Sequence, residues 1–206
     1  MHIDHLILGG FETNCYILRS SADTTQCLII DTELGLVDFL KANKLRPDTI
    51  ILTHGHLDHI CGIPPLRAEY PAIKVYIHRL DADMLNGTRP ASPFMTSTGV
   101  DFGPAEILEE QEEIRFAGIT FRILHTPGHT PGGICLYSQV DSAVFTGDSL
   151  FAGSIGRTDF PGGDYEQLIE AIKEKLLILP NRTIVYPGHG PQTTIAVEKA
   201  ANPYLR

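Results

Sequence analysis

The chain has little that would suit it to an anionic polymer or a lipid surface. Its 206 residues hold 16 Lys and Arg against 25 Asp and Glu, a formal net charge of −9. That balance argues against a nucleic-acid partner or an anionic membrane surface. No apolar run reaches membrane-span length, and Met1-His2-Ile3-Asp4-His5 does not open a basic, then apolar, leader. The reading that follows is a cytoplasmic protein. There are only four cysteines, Cys15, Cys27, Cys61 and Cys135, with no paired spacing such as C-x-x-C. Three of them lie in apolar, strand-like runs and read as reduced core thiols. Cys61 reads as a small residue packing the first turn of a helix. There is no Ser-His-Asp or Cys-His arrangement to supply a side-chain nucleophile.

What is present is 43% hydrophobic and 20% charged residues, the content of an ordinary globular protein, with enough length for one domain over 1–206. The chain is organised around Thr53-His54-Gly55-His56-Leu57-Asp58-His59. Thr49 to Thr53 is β-branched and apolar and reads as a buried strand. Ile60 to Tyr70 reads as a helix, with Pro64 and Pro65 confined to its first turns. Three imidazoles and a carboxylate therefore stand at a strand's carboxyl end, where α/β proteins place their chemistry. His54 and His56 project to one side, and Asp58 and His59 can reach a neighbouring point. That suits two metal ions better than one, with zinc favoured and iron or manganese as alternatives. His129, Asp148 and His189 each follow a Gly and an apolar or β-branched run, which puts them at strand ends too.

The pattern His54-x-His56-x-Asp58-His59 with the later His129, Asp148 and His189 resembles the metallo-β-lactamase fold superfamily over nearly the whole chain. The resemblance implies a four-layer αββα sandwich, where the pattern alone gives only α/β or α+β. It implies one metal on His54, His56 and His129, a second on Asp58, His59 and His189, and Asp148 bridging them. It also gives Asp31 a role in orienting the metal loop by hydrogen bonds.

Two divalent ions, two carboxylates, five imidazoles and a hydroxide leave a net positive site able to attract an anion. Metal-bound water reaches a pKa of ~7. Hydrolysis of an activated carbonyl or a phosphoester is the chemistry this favours, with Asp58 and Asp148 as the catalytic carboxylates. Within Gly147 to Gly163, Arg157 is a planar fork suited to a carboxylate, or else a structural partner of Asp159 or Asp164.

Here the resemblance narrows to short bacterial type II glyoxalases (hydroxyacylglutathione hydrolases). These act on thioesters such as S-lactoylglutathione, and their longer relatives bind a glutathione carboxylate with a Lys at the position of Arg157. The chain departs from the longer pattern by ending at Arg206, without a C-terminal helical region, and by having Pro191 where they have Tyr. Persulfide dioxygenase is similar as well, sharing Gly156-Arg157-Thr158-Asp159-Phe160. It would imply a single iron on His54, His129 and Asp148. A lactamase usually has a Cys among its ligands, and none aligns here.

Other elements follow from pattern. Strands are expected at His2–Leu8, Asn14–Arg19, Cys27–Ile30, Lys74–His78, Ile114–Phe116, Thr120–Leu124, Gly133–Tyr137, Ala143–Thr146 and Thr183–Tyr186. Helices are expected at Leu34–Asn43, Arg79–Asn86, Tyr165–Leu179 and Thr194–Ala201. Glu106 to Glu113 reads as a solvated acidic face, and 86–104 as a long loop that walls the active site or merely connects. His2, His5 and His78 read as edge, exposed or capping histidines.

Overall fold

In a computed structural model, which describes residues 1–92 and 101–206, two six-stranded sheets pack face to face with helices outside each. The first sheet runs in spatial order β1 (His2–Leu8), β2 (Thr13–Arg19), β3 (Gln26–Ile30), β4 (Arg46–Ile51), β5 (Lys74–His78) and β6 (Glu106–Leu108). Its first three strands pair antiparallel and its last three extend it in parallel from β3. The second sheet contains β7 (Gln111–Phe116), β8 (Ile119–His125), β9 (Ile134–Ser138) and β10 (Ala143–Gly147). It is completed beyond β10 by β13 (Ile184–Pro187) and β14 (Thr193–Thr194). A short ribbon, β11 (Leu150–Phe151) with β12 (Ser154–Ile155), leaves β10 just past Asp148.

The period of two explains the layering. Along β2, Tyr16 and Leu18 point into the core between the sheets, where they meet Leu28, Ile30 and Ile51 from their own sheet and Phe121, Ile123, Leu136 and Phe145 from the other. Cys15 and Ile17 point the opposite way, onto a core closed by α1 (Leu36–Ala42) and α3 (Ile63–Glu69). The second sheet repeats the arrangement. Cys135, Val144 and Val185 face outward onto α5 (Tyr165–Ala171) and α6 (Ile195–Ala201) through Leu168 and Ile195. Strands buried on both faces read as continuous apolar runs. This is the αββα sandwich.

Three expectations need correction. The Glu106–Glu113 stretch is not simply a solvated face: it contains the edge strand β6 and opens β7. Glu106 is exposed beside Lys74, while Leu108 turns into the inter-sheet core, so one buried residue in an acidic run fixes the strand. The helix expected from Ile60 is broken into α2 (Leu57–Ile60) and α3, because Pro64 and Pro65 in the first turn of α3 have no N–H to carry the ladder back to Ile60 and Cys61. The helix from Tyr165 is α-helical only to Ala171 and widens to π geometry over Ile172–Leu176. Asp164 does cap it, accepting the Gln167 N–H at 3.0 Å. Arg79 to Asn86 holds a 3₁₀ turn followed by α4 (Ala82–Leu85). Phe94 and Met95 of the 86–104 loop lie outside the described residues. No helix among the described residues is long and apolar enough to cross a membrane.

Candidate metal centre

All seven candidate ligands stand just past strand ends, along one rim of the sandwich. His54, His56, Asp58 and His59 follow β4, His129 follows β8, Asp148 follows β10, and His189 follows β13. Three groups have donor atoms within 4.8 Å of one another: His54, His56 and His129; His54, His59 and Asp148; Asp58, His59 and His189. Asp148 links the sides. Its Oδ1 lies 3.5 Å from His59 Nε2, and its Oδ2 lies 3.5 Å from both His129 Nε2 and His189 Nε2.

The histidine rings are set by what holds their outer nitrogens. His59 Nδ1 donates to Asp31 Oδ2 at 2.9 Å, His129 Nδ1 to the Arg157 carbonyl at 2.7 Å, and His189 Nδ1 to the Phe11 carbonyl at 3.0 Å. His54 Nδ1 meets Thr53 Oγ1 at 3.1 Å, and that hydroxyl in turn donates to Asp31 Oδ2 at 2.7 Å. With Nδ1 protonated in each, all four present an Nε2 lone pair, the form a cation needs. His56 is the exception, directing Nδ1 inward to within 2.9 Å of His129 Nε2.

Two buried atoms of the centre, His54 Nε2 and Asp148 Oδ1, have no hydrogen-bond partner among the described residues. A buried carboxylate oxygen and imidazole lone pair left unpaired are costly, and a divalent cation satisfies both. The donor set of imidazole and carboxylate therefore fits zinc, iron or manganese. The backbone makes room for it, since at Gly188 a Cβ would lie 2.2 Å from Asp148 Oδ1.

Burial, helped by the neighbouring imidazoles, drives His54 far below its ordinary pKa and His56 down to about 4, so both are neutral at pH 7. Burial would raise Asp58, but His59 and His189 outweigh it and hold the carboxyl well below the usual range. Burial would likewise lower His59, yet Asp58, Asp31 and Asp148 raise it.

Several supports had no signal in the sequence. Asp81 is fully buried and joins two ligand loops: it accepts from Gly55 N at 3.1 Å, Thr130 Oγ1 at 2.6 Å and Gly132 N at 2.9 Å, and pairs with Arg89 at 2.9 Å. Asn14 Nδ2 holds the loop of His189 through the carbonyls of Pro187 and Gly190, at 2.9 and 2.8 Å. Thr13 Oγ1 donates to Asp58 Oδ2 at 3.1 Å. Asp31, by contrast, occupies the place the resemblance implied. Cys61 stays apart from the ligands, its thiol 3.1 Å from Glu33. His78 caps the turn after β5 through Leu80 N, at 3.3 Å.

The sandwich and the ligand sequence on its rim agree with a family model for the metallo-β-lactamase superfamily, which matches residues 8–189. The chain belongs to the metallo-β-lactamase superfamily. Hydroxyacylglutathione hydrolase GloC of Haemophilus influenzae is 36% identical, over 100% of this chain and 98% of that one. Among solved structures, BLEG-1 B3 metallo-β-lactamase superposes with a TM-score of 0.89 at 37% identity, covering 99% of each chain. TTHA1623 in a di-iron-bound form superposes at 0.82 with 35% identity, covering 98% of this chain and 100% of that one.

Beside the centre of this superfamily member lies a cavity of about 440 Å³, reached by His56, Asp58, His129, Asp148 and His189. Phe11, Leu57, Phe151, Ile155 and Phe160 give it apolar walls, and Ala91 and Ser92 reach it from the 86–104 loop. Arg157 lines it also, held by Asp159 rather than Asp164.

Proposed function

We propose that this metallo-hydrolase superfamily member is a binuclear thioester hydrolase acting on a small-molecule thioester such as S-lactoylglutathione. The observation that carries the reading is the pair of three-ligand groups on either side of Asp148, open to one cavity. The thioester class comes from the similarity to the Haemophilus enzyme. His54, His56 and His129 would hold one ion and Asp58, His59 and His189 the other, with Asp148 shared. Bound divalent ions, zinc first and iron or manganese otherwise, supply Lewis acidity and make water nucleophilic at neutral pH.

The chain's own residues do the positioning. Asp31 and Asp81 fix the ligand loops on which the two groups stand. Asp58, kept ionised, orients a water by accepting its hydrogen bond, while its lowered pKa makes it a poor proton store. The apolar walls hold the acyl thioester with its carbonyl carbon toward that water. Water oxygen bonds to the acyl carbon, the C–S bond breaks with its electron pair going to sulfur, and the proton given up by the water ends on the departing thiolate, leaving the carboxylic acid to ionise. Arg157, on the cavity wall, would meet a carboxylate on the leaving half.

Thiol release from S-lactoylglutathione by the metal-loaded protein tests the reading. Turnover abolished by a chelator and restored by zinc supports it. Oxygen consumption with a persulfide by a one-iron protein, without thiol release from thioesters, would replace it with the dioxygenase.

A further inference from the structure

Among the described residues lining the cavity, Arg157 is the one Lys or Arg, and its guanidinium is already engaged on an edge and a face. Nε donates to Asp159 Oδ1 at 2.8 Å and Nη2 to Oδ2 at 2.7 Å, so one bidentate edge of the guanidinium is taken by a carboxylate of the same chain. Cζ lies 3.6 Å from the centre of the Phe160 ring, which covers one face of the plane. The root of the side chain is fixed as well, because the Arg157 carbonyl accepts from His129 Nδ1 at 2.7 Å. The nearby Arg89 is committed elsewhere, to Asp81 and Asp83, each at 2.9 Å.

A substrate carboxylate can take the Nε–Nη2 edge of Arg157 only by displacing Asp159, and on the Nη1 side it shares the one positive charge with that carboxylate. We propose that Asp159 is a specificity-determining residue: a built-in competitor for the leaving-group carboxylate, which weakens recognition of anionic thiols relative to neutral ones. The proposal rests on the thioester reading for its substrate. The competition is mild rather than blocking, because both partners are more than half exposed, at 52% and 67%, and an exposed ion pair is weak. The pocket therefore accepts glutathione-type and neutral thioesters with little discrimination, its apolar walls serving both.

Removing the competitor's charge while keeping its shape isolates the effect. Asp159→Asn should lower KM for S-lactoylglutathione about two- to fivefold, the range an exposed pair supports, with kcat within about twofold. KM for the neutral N-acetylcysteamine thioester of lactate should not move. Asp159→Glu, which can still reach the guanidinium, should keep the wild-type KM. In an Arg157→Ala background the Asn substitution should shift KM clearly less than it does beside Arg157. Binding of S-methylglutathione, which cannot be hydrolysed, to the metal-loaded protein should tighten by the same factor in Asp159→Asn. An unchanged KM and Kd, an equal shift on both thioesters, or no S-methylglutathione binding to either protein would overturn the proposal. Absence of thioester cleavage by the wild type would instead overturn the hydrolase reading, and the binding titration would still decide the role of Asp159.

Discussion

The Asp31 carboxylate oxygen Oδ2 sits 2.9 Å from His59 Nδ1, with both side chains buried. The same carboxylate accepts from Thr53 N and Thr53 Oγ1, each at 2.7 Å, so one residue fixes the ring of His59 and the start of the His54 loop. Partners of this kind are worth about 10–100-fold in metal affinity. Asp31→Asn keeps the shape but removes the charge, and should weaken retention of an ion at the Asp58, His59 and His189 group by that order. Titration against a chelator measures it, and an unchanged affinity would show that His59 needs no such brace.

Gly188 is where the backbone itself makes space. An added Cβ would meet Asp148 Oδ1 at 2.2 Å and His59 Cε1 at 2.9 Å. Gly188→Ala should fold with a loss of about 1–3 kcal/mol, the usual cost of overpacking, and should bind fewer ions per chain than the wild type. Denaturant melts alongside elemental analysis separate the two effects. Full metal content in the folded variant would mean that Asp148 is not held where the two sides meet.

Asp148 and Asp58 should behave differently when truncated. Asp148 touches both sides of the centre, whereas Asp58 contacts His59 at 3.4 Å and His189 at 3.3 Å on one side. Asp148→Ala should reduce occupancy at both positions together, and Asp58→Ala mainly at one. Two retained ions and near-normal turnover in Asp148→Ala would refute the bridging role.

His78 gives a test in acid. It is stacked on His125 at 4.2 Å, and burial, then that neighbour, lower its pKa from 6.5. Between the folded value and 6.5 the unfolded chain takes up a proton that the folded chain does not, so stability rises with pH across this window. The His78 contribution is complete above pH 6.5 and is lost as the pH falls below it. His78→Asn keeps an acceptor for Leu80 N and should lose less stability than the wild type between pH 7 and 5, measured by urea melts. Parallel curves would show that His78 does not titrate on unfolding.

How far the sequence reached follows the range of each interaction. The cluster His54 to His59 was legible because ligand types at short spacing after a β-branched strand have few other uses. The doubly buried strands were legible from their apolar runs. Asp31 was legible only through the family resemblance. Asp81 was not, since its partners lie 26 to 51 residues away and an Asp opening a helical turn resembles any other. The edge strand β6 was hidden because only Leu108 of its three residues is buried. The neighbour of Arg157 was left open between Asp159 and Asp164, a choice that side-chain geometry settles.

Whether seven side chains form one two-ion centre is decided by anomalous scattering from crystals of the protein loaded with zinc. Two peaks are expected, one among His54, His56 and His129 and one among Asp58, His59 and His189, with Asp148 in contact with both. A single peak on His54, His129 and Asp148, or a second peak away from Asp58 and His189, would contradict such a centre.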